Sequence, residues 1–166
     1  MNTIYKTTFL LVAVLLTACE KTQPVEVPPA QTLTREASGY YCLMTVLHHS
    51  GPKAQIFLDD QAEPLWFTSV RDAISFTLSP EEPKNISAIY VNDMTDADWD
   101  NPGVDNWIEA SKAWYVIASK RSGGMGSPEA IPFSTKENAE TFAKEEGGTV
   151  YDLLTIPHDY ILESSE

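Results

Sequence analysis

A thiol, a thioether and two imidazoles fall within eight positions of the chain, in the segment SGYYCLMTVLHHSGPKAQ at residues 38–55. Cys42 and Met44 are two residues apart, so on a β-strand both side chains would project from one face. The apolar run YYCLMTVL predicts such a strand, with His49 just after it at a turn. These ligand types suit a soft ion, Cu(I) above all, and Zn(II) less well. The alternative is a core strand, where cysteine and methionine are both common.

A second candidate ligand is Met125, in the segment SKRSGGMGSPEA at residues 119–130. Glycines flank this methionine on both sides, which favours mobility and exposure over core packing. Met125 is therefore suited to be a thioether on a flexible arm. A phosphate-binding loop is excluded, because no Gly-Lys-Ser/Thr ending follows the glycines.

Other motifs in the sequence give weaker evidence for a functional site. The segment DADWD at residues 96–100 begins like a calcium-binding EF-hand loop, but Asn101 stands where glycine is needed and Trp107 where glutamate is needed. No G-x-S-x-G motif occurs. A thiol-dependent enzyme would need a histidine base for Cys42, and a histidine of the same hairpin would be unusual geometry for that role. His158 is predicted to be a surface residue.

The first eighteen residues, MNTIYKTTFLLVAVLLTA, hold one lysine followed by an apolar run. The run is shorter than the roughly 20 residues of a membrane-spanning helix, so residues 1–18 are predicted to be a signal peptide. Leu-Thr-Ala before Cys19 is similar to a bacterial lipobox, which predicts cleavage before Cys19 and its lipidation. The alternative is an ordinary signal peptide that leaves Cys19 free. Residues 19–37 contain three prolines and no periodicity, and they are predicted to be an extended tether.

The chain has two cysteines. If Cys19 carries lipid, Cys42 is the single remaining thiol in a compartment that favours disulfides. An intramolecular disulfide is then impossible. Cys42 must be buried, pair with another molecule, or hold a metal.

The net charge of the chain is −13. Charge of this sign repels nucleic acid, so no nucleic-acid partner is expected. It would also attract a basic partner or cations, but the favoured interpretation is that the acidic surface keeps the protein in solution.

Two segments share the pattern F-[ST]-x4-A-x2-F: WFTSVRDAISF and PFSTKENAETF. At helical spacing the alanine and the second phenylalanine fall on one face. The hydroxyl residues after the first phenylalanine, Thr68 and Ser134, suit helix N-caps, and Glu137 would complete a capping box with Ser134. Both segments therefore predict a strand that enters a short amphipathic helix.

The surroundings of the two segments predict an internal duplication. Each half contains two strands, the helix and a further strand, so the predicted fold class is α+β with two similar ββαβ units. The first unit is expected over residues 38–95, and residues 96–166 would hold an acidic connecting loop, the second unit and a tail. The alternative is a chance match within one mixed fold. Units of about 60 residues have marginal cores, so we expect the two to pack together.

The duplication suggests how the candidate ligands would meet. The Cys42 segment is predicted to form a hairpin around His49, and Met125 is predicted at the tip of the equivalent hairpin of the second unit. If equivalent hairpins are adjacent, Met125 would close the Cys42 site from the other half.

The sequence resembles the NosL family over about residues 38–160. The resemblance is carried by the motif C-x-M-x4-H-x-GPK-x-QIF from Cys42 to Phe57, and by the segments WFTSVRDAISFTLSPEEPK, IYVNDM, AWYVIASKRSGGMGSPEAIPF and IPHDY. The family implies two ββαβ units related to the organomercurial lyase fold. The chemistry of that enzyme is not expected, because it needs more than one thiol and the mature chain offers Cys42 alone.

The resemblance implies a periplasm-facing lipoprotein that binds Cu(I) and is not an enzyme. Its expected partners are the nitrous oxide reductase apoprotein, which would receive copper for its copper-sulfide centre, and a membrane transporter complex of the same gene cluster. The implied copper ligands are Cys42, Met44, His49 and Met125. His48 is the alternative imidazole ligand. The sequence departs from the family here, since its members often have an acidic or other residue at this position, and the choice between His48 and His49 stays open.

The sequence is also compatible with two other hypotheses. One is a scaffold lipoprotein that docks a periplasmic maturation complex without metal, and the less favoured one is the thiol-dependent enzyme. The anchor would be the lipid on Cys19, and Glu20 after it favours the outer membrane over the inner membrane.

Overall fold

The computed structural model describes residues 27–162. The predicted signal peptide and Cys19 lie outside the described residues. No helix within the described range is long and apolar enough to cross a membrane. In chain order the strands and α-helices are β1 (Ala54–Leu58), β2 (Leu65–Phe67), α1 (Val70–Leu78), β3 (Ile86–Asn92), β4 (Trp107–Glu109), β5 (Trp114–Ile117), β6 (Ile131–Phe133), α2 (Lys136–Glu146), β7 (Thr149–Asp152) and α3 (His158–Leu162), and short 3-10 helices cover Val46–His48 and Ala110–Lys112.

The sheet topology repeats between the two halves of the chain. Over residues 27–162, the strands form a four-stranded sheet of order β2-β1-β3-β4 and a three-stranded sheet of order β6-β5-β7. All neighbouring strands are antiparallel. In both sheets the first strand of the unit lies between the other two, and the helix connects the second strand to the third. The predicted α+β class with two similar ββαβ units is confirmed.

The repeated sequence pattern marks the strand-to-helix passage in both units, but the predicted caps are wrong by one residue. Ser69 caps α1 and accepts a hydrogen bond from the amide of Asp72, and Thr135 caps α2 in the same way for Asn138. The extended backbone continues one residue beyond Thr68 and Ser134 before the helix begins. Both of those residues therefore belong to the strand-to-helix connection instead.

The predicted strand YYCLMTVL is wrong. Residues 40–44 form a loop and Val46–His48 a 3-10 helix. The physical reason is that β1 is a central strand, whose two edges are already paired with β2 and β3. The YYCLMTVL segment thus has no free edge of β1 to join, and the first hairpin of the fold is β1–β2.

The structure extends the folded part beyond two of the expected segment boundaries, the end of the first unit at residue 95 and the end of the tether at residue 37. Strand β4 lies in the acidic connecting segment and pairs with β3, so the first sheet extends beyond residue 95. The predicted tether over residues 19–37 contacts the fold from Pro28 onward. The hydroxyl of Tyr90 donates to the Pro28 carbonyl at 2.7 Å, and Leu33 is buried. Any free spacer must therefore end before Pro28.

The two units share one hydrophobic core, as their small size predicted. Phe76 of α1 and Ile56 of β1 belong to the same buried cluster as Tyr115 and Ile117 of β5. A smaller cluster around Phe133 packs beneath α2. The shared core fixes the loops of one unit against those of the other.

Removing the Tyr115 hydroxyl should destabilise this core. The side chain is fully buried and its hydroxyl donates to the Ala110 carbonyl at 2.7 Å. Tyr115→Phe removes this bond and leaves the carbonyl with the longer bond from the Ala113 amide, at 3.3 Å. The substitution is expected to lower the free energy of unfolding by about 1 kcal/mol, measured by urea denaturation. Tyr40→Phe loses an exposed hydrogen bond to Glu82 and is the control, with an expected change below about 0.5 kcal/mol. Equal losses in both variants would contradict the prediction.

Candidate metal-binding site

Cys42 lies in a closed loop that precedes β1. A bridge between Ser38 and Thr45 joins the ends of the loop, and Leu43 next to the cysteine has a φ of +57°. The half-buried Cys42 Sγ lies 3.8 Å from the hydroxyl oxygen of Thr68, which directly precedes the N-cap of α1. The loop therefore places the thiol beside the start of α1.

Gly39 makes room for this thiol. A Cβ atom at position 39 would lie 2.6 Å from Cys42 Sγ and 3.3 Å from the Thr68 methyl group. The Gly39 amide also donates to the Met44 carbonyl at 2.8 Å. The backbone of the loop thus folds directly over the sulfur atom.

An open pocket of about 340 Å³ joins the two units at Cys42. Both candidate sulfur residues, Cys42 and Met125, line it. The remaining lining residues come from the first unit and from the glycine loop of the second: Tyr41, Ser69, Asp72, Gly123, Gly124 and Ser127. Met125 is 55% exposed, so its thioether stands at the mouth of the pocket.

His49 lies against the glycine loop that carries Met125. A Cβ atom on Gly124 would be 2.7 Å from His49 Cβ and 2.6 Å from the Ser50 carbonyl oxygen. The backbone of the loop therefore contacts the turn that follows the Cys42 loop. Because that contact is so close, the positions of His49 and Met125 depend on each other.

The other two predicted ligands are more exposed. Met44 is 42% exposed at the end of the Cys42 loop, and His48 is exposed in the 3-10 helix. Neither Met44 nor either histidine lines the pocket in this arrangement. The expected same-face placement of Cys42 and Met44 on a strand is wrong, because the loop turns at Leu43.

The rim of the pocket is acidic and hydrogen-bonded. The Tyr41 hydroxyl donates to Glu82 at 3.0 Å, and burial together with this bond raises the pKa of Tyr41. Burial also raises the pKa of Asp72, which the neighbouring Arg71 partly offsets. Tyr41 is thus a neutral donor fixed by Glu82, and the acidic groups at the rim attract cations.

The donor set favours a soft ion. Within residues 27–162, no three side chains of His, Cys, Asp or Glu are grouped so that they could hold a metal ion. The pocket instead combines a thiol and a thioether with one carboxylate, that of Asp72. Thiolate and thioether are the ligands that Cu(I) prefers.

A family model described as NosL matches residues 29–161 of the chain. This chain belongs to the NosL family. The match confirms the resemblance first identified from the Cys42, glycine-loop and carboxy-terminal motifs.

Two relatives extend the likeness over nearly the whole NosL chain. The copper-binding lipoprotein NosL of Achromobacter cycloclastes is 48% identical over 163 residues, which cover 95% of this chain and 84% of the relative. The copper-binding lipoprotein NosL of Stutzerimonas stutzeri is 27% identical over 157 residues, covering 94% and 81%. These names describe a lipoprotein that binds copper rather than an enzyme, which confirms the expectation of a protein that is not an enzyme.

Two solved structures support the NosL fold. The crystal structure of the copper chaperone NosL from Shewanella denitrificans matches with a TM-score of 0.73 and 33% identity, covering 78% of this chain and 97% of that one. The solution structure of apo-NosL from Achromobacter cycloclastes matches with a TM-score of 0.50 and 47% identity, covering 68% and 94%. The two-unit architecture is therefore the architecture of the family.

The NosL architecture brings Cys42 and Met125 together by a route other than the predicted one. Met125 lies in the β5–β6 connection, and its equivalent in the first unit is the β1–β2 connection at residues 59–64. The Cys42 loop precedes β1, so the expected matching of hairpin tips is wrong. The loop reaches the pocket because Gly39 pairs with Trp66 of β2 and so lies beside the start of α1.

Sequence reasoning missed Thr68, Ser69 and Asp72 as neighbours of the thiol. The repeated pattern did contain these residues, because it marks the passage from strand to helix, and residues at the start of a helix lie close together. It also read the glycines around Met125 only as a source of mobility. In this structure Gly124 permits a close backbone contact with the other unit, which is a different requirement for glycine.

Proposed function

We propose that this NosL-family chain binds one Cu(I) ion in the pocket between its two units and delivers it to the nitrous oxide reductase apoprotein for assembly of the copper-sulfide centre. The single observation that carries the proposal is that Cys42 and Met125, from different units, line one open pocket. The copper-binding and copper-chaperone names of the relatives support the choice of metal.

The proposed ligands are Cys42 and Met125, with Met44 and His49 completing the set. His49 is preferred to His48 because it lies against the glycine loop, whereas His48 is exposed. A thiolate supplies the strongest bond to the soft ion, and exposed thioethers at the mouth are weak, mobile ligands. Cu(I) held in this way keeps an open side, so that a partner's ligand can replace one of the chain's own ligands.

The proposed location follows the predicted lipid on Cys19. It would hold the protein at a membrane surface facing the periplasm, with the outer membrane favoured by Glu20, and beside a membrane transporter complex of the same gene cluster. The lipoprotein names of both relatives agree with a membrane anchor.

Anaerobic titration of the metal-free protein with Cu(I) tests the binding step, and we expect one ion per chain. For delivery, the Cu(I)-loaded protein is incubated with copper-free nitrous oxide reductase, the two are separated, and the copper content of the reductase is measured. An absence of Cu(I) binding alongside a stable complex with the reductase would favour the scaffold hypothesis instead. Copper uptake equal to that from buffer with Cu(I) alone would contradict delivery.

Met125→Leu should weaken Cu(I) binding about tenfold, since it removes the thioether but keeps the size of the side chain. Competition with a chromophoric Cu(I) chelator measures the change. Met94→Leu is the matched control, because Met94 is buried in the cluster beneath α2. The same substitution there removes a sulfur atom that lies outside the pocket, and affinity should not change. Equal affinities for Met125→Leu and the wild-type protein would remove Met125 from the ligand set.

A further inference from the structure

Beneath the pocket, Glu129 joins the two units through one buried carboxylate. The side chain is 1% exposed. Its Oε1 accepts hydrogen bonds from the Arg71 amide at 2.8 Å, the Ser69 hydroxyl at 3.2 Å and its neighbour's amide, that of Ala130, at 2.9 Å. One oxygen atom thus ties the first turn of α1, beside Cys42, to the start of β6 in the other unit.

The second oxygen of Glu129 supports the glycine loop. Oε2 is buried without a hydrogen-bond partner in the part of the chain that the structure describes. A Cβ atom built on Gly123 would lie only 2.7 Å from Glu129 Oε2. The Gly123 amide and carbonyl bond to Ser127 and Gly126, so the loop is a closed turn that rests on this carboxylate. Glu129 therefore helps to determine the position of the loop that carries Met125.

Lys53 supports the turn that follows His49. It is 2% exposed, and its ammonium group donates to the Ser50 carbonyl at 3.2 Å and to the Gly51 carbonyl. Those carbonyls belong to the turn after His49, the same turn that Gly124 contacts. Lys53 thus fixes the histidine side of the pocket.

Glu129 and Lys53 are both ionisable groups whose pKa values are shifted by burial. Burial lowers the pKa of Lys53 to about 8, and the attraction of Glu129 opposes that shift. Burial raises the pKa of Glu129 to about 7. The other titratable groups that face Glu129 are Arg71 and Asp72 of α1 and Tyr160 of α3. Ligand-bearing segments from both units therefore rest on two buried ionisable groups, Glu129 and Lys53.

We propose that Glu129 and Lys53 are positioning residues of the copper site. They hold the start of α1 beside Cys42, the glycine loop with Met125 and the turn with His49 in one arrangement, without touching the metal. This inference rests on the proposed function for the identity of the metal, but the arrangement of the loops can be tested on metal-free protein.

Glu129→Gln is the test variant. The amide oxygen can accept the same three hydrogen bonds, while an NH₂ group replaces Oε2 against Gly123. We expect Cu(I) to bind about tenfold more weakly, as is usual when a supporting group around a metal site is changed. X-ray absorption of the Cu(I) form should lose one sulfur ligand, that of Met125. In the metal-free protein, NMR contacts between Gly124 and the His49 side chain should weaken.

Tyr115→Phe is the control for a purely structural role, because it removes a buried hydrogen bond elsewhere in the core. It should retain wild-type affinity and sulfur count at an equal or larger loss of stability. Gly123→Ala is the second variant, since its methyl group presses on Glu129 Oε2 and moves the loop with the carboxylate intact. We expect it to lose the same sulfur ligand.

Three results separate the hypotheses. Wild-type affinity, sulfur count and NMR contacts in Glu129→Gln would overturn the positioning role. So would a loss of affinity in Tyr115→Phe equal to that in Glu129→Gln. If the wild-type protein binds no Cu(I), the proposed function fails, and the NMR contacts of the metal-free variants still decide whether Glu129 positions the loops.

Discussion

Cys42→Ser is expected to weaken Cu(I) binding by about a thousandfold, equivalent to about 4 kcal/mol. Cys42 is the free cysteine of the described chain, and serine offers a hard oxygen in place of the soft thiolate. No other side chain that lines the pocket can supply a thiolate, so the loss cannot be compensated within the site. Competition with a chromophoric Cu(I) chelator under anaerobic conditions measures the effect directly.

The fold should survive this substitution. Cys42 is only half-buried, and serine can keep a polar contact with the hydroxyl of Thr68. Leu43→Ala is the matched control in the same loop, because that side chain is 79% exposed and supplies no ligand. Its affinity should stay within about twofold of the wild-type value. A Cys42→Ser protein that binds Cu(I) as tightly as Leu43→Ala would exclude the thiolate-centred site.

The parts of the fold that are local in sequence were predictable. The shared F-[ST]-x4-A-x2-F pattern identified the β2–α1 and β6–α2 passages because a short amphipathic helix carries its own spacing of buried residues. The position of the caps, by contrast, depends on how far the preceding strand extends. That distance is set by strand pairing, and the pattern contains no information about it.

The Cys42 segment could not be predicted in the same way. Its short apolar run is typical of a strand, but a strand also needs a partner with a free edge. Whether β1 offers that edge depends on β2 and β3, which are distant in sequence. The residue types for a soft-metal site were therefore found correctly as a hypothesis, whereas the geometry that unites Cys42 with Met125 was not.

Lys53 and Glu129 illustrate the same limit. Charged residues are almost always exposed unless they are paired, so nothing in the sequence distinguished these two from the many acidic and basic residues of the surface. Their burial follows from the packing of three segments against one another at the pocket. A supporting pair of this kind becomes visible only when the tertiary structure is known.

Gly124→Ala is expected to separate the two halves of the site and weaken Cu(I) binding by about a hundredfold, the upper range for displaced supporting groups around a metal. The new methyl group would meet the Ser50 carbonyl oxygen at 2.6 Å and His49 Cβ at 2.7 Å, and neither backbone nor Cβ atoms can yield without moving the turn. Met125 and His49 would therefore be displaced together. Overpacking of this kind also lowers the free energy of unfolding by about 1–3 kcal/mol.

Gly126→Ala is the matched control in the same loop. It strains the backbone of the loop without displacing the loop from the turn at His49. Position 126 has a φ of +82°, so alanine there is strained by about 1–2 kcal/mol. No atom of another segment lies within 4 Å, however, and nothing pushes the loop away from His49. Chelator competition should therefore place its affinity within about threefold of the wild-type value while its stability falls. If both glycine variants lose affinity equally, the contact with Ser50 and His49 does not position Met125, and loop strain alone determines the affinity.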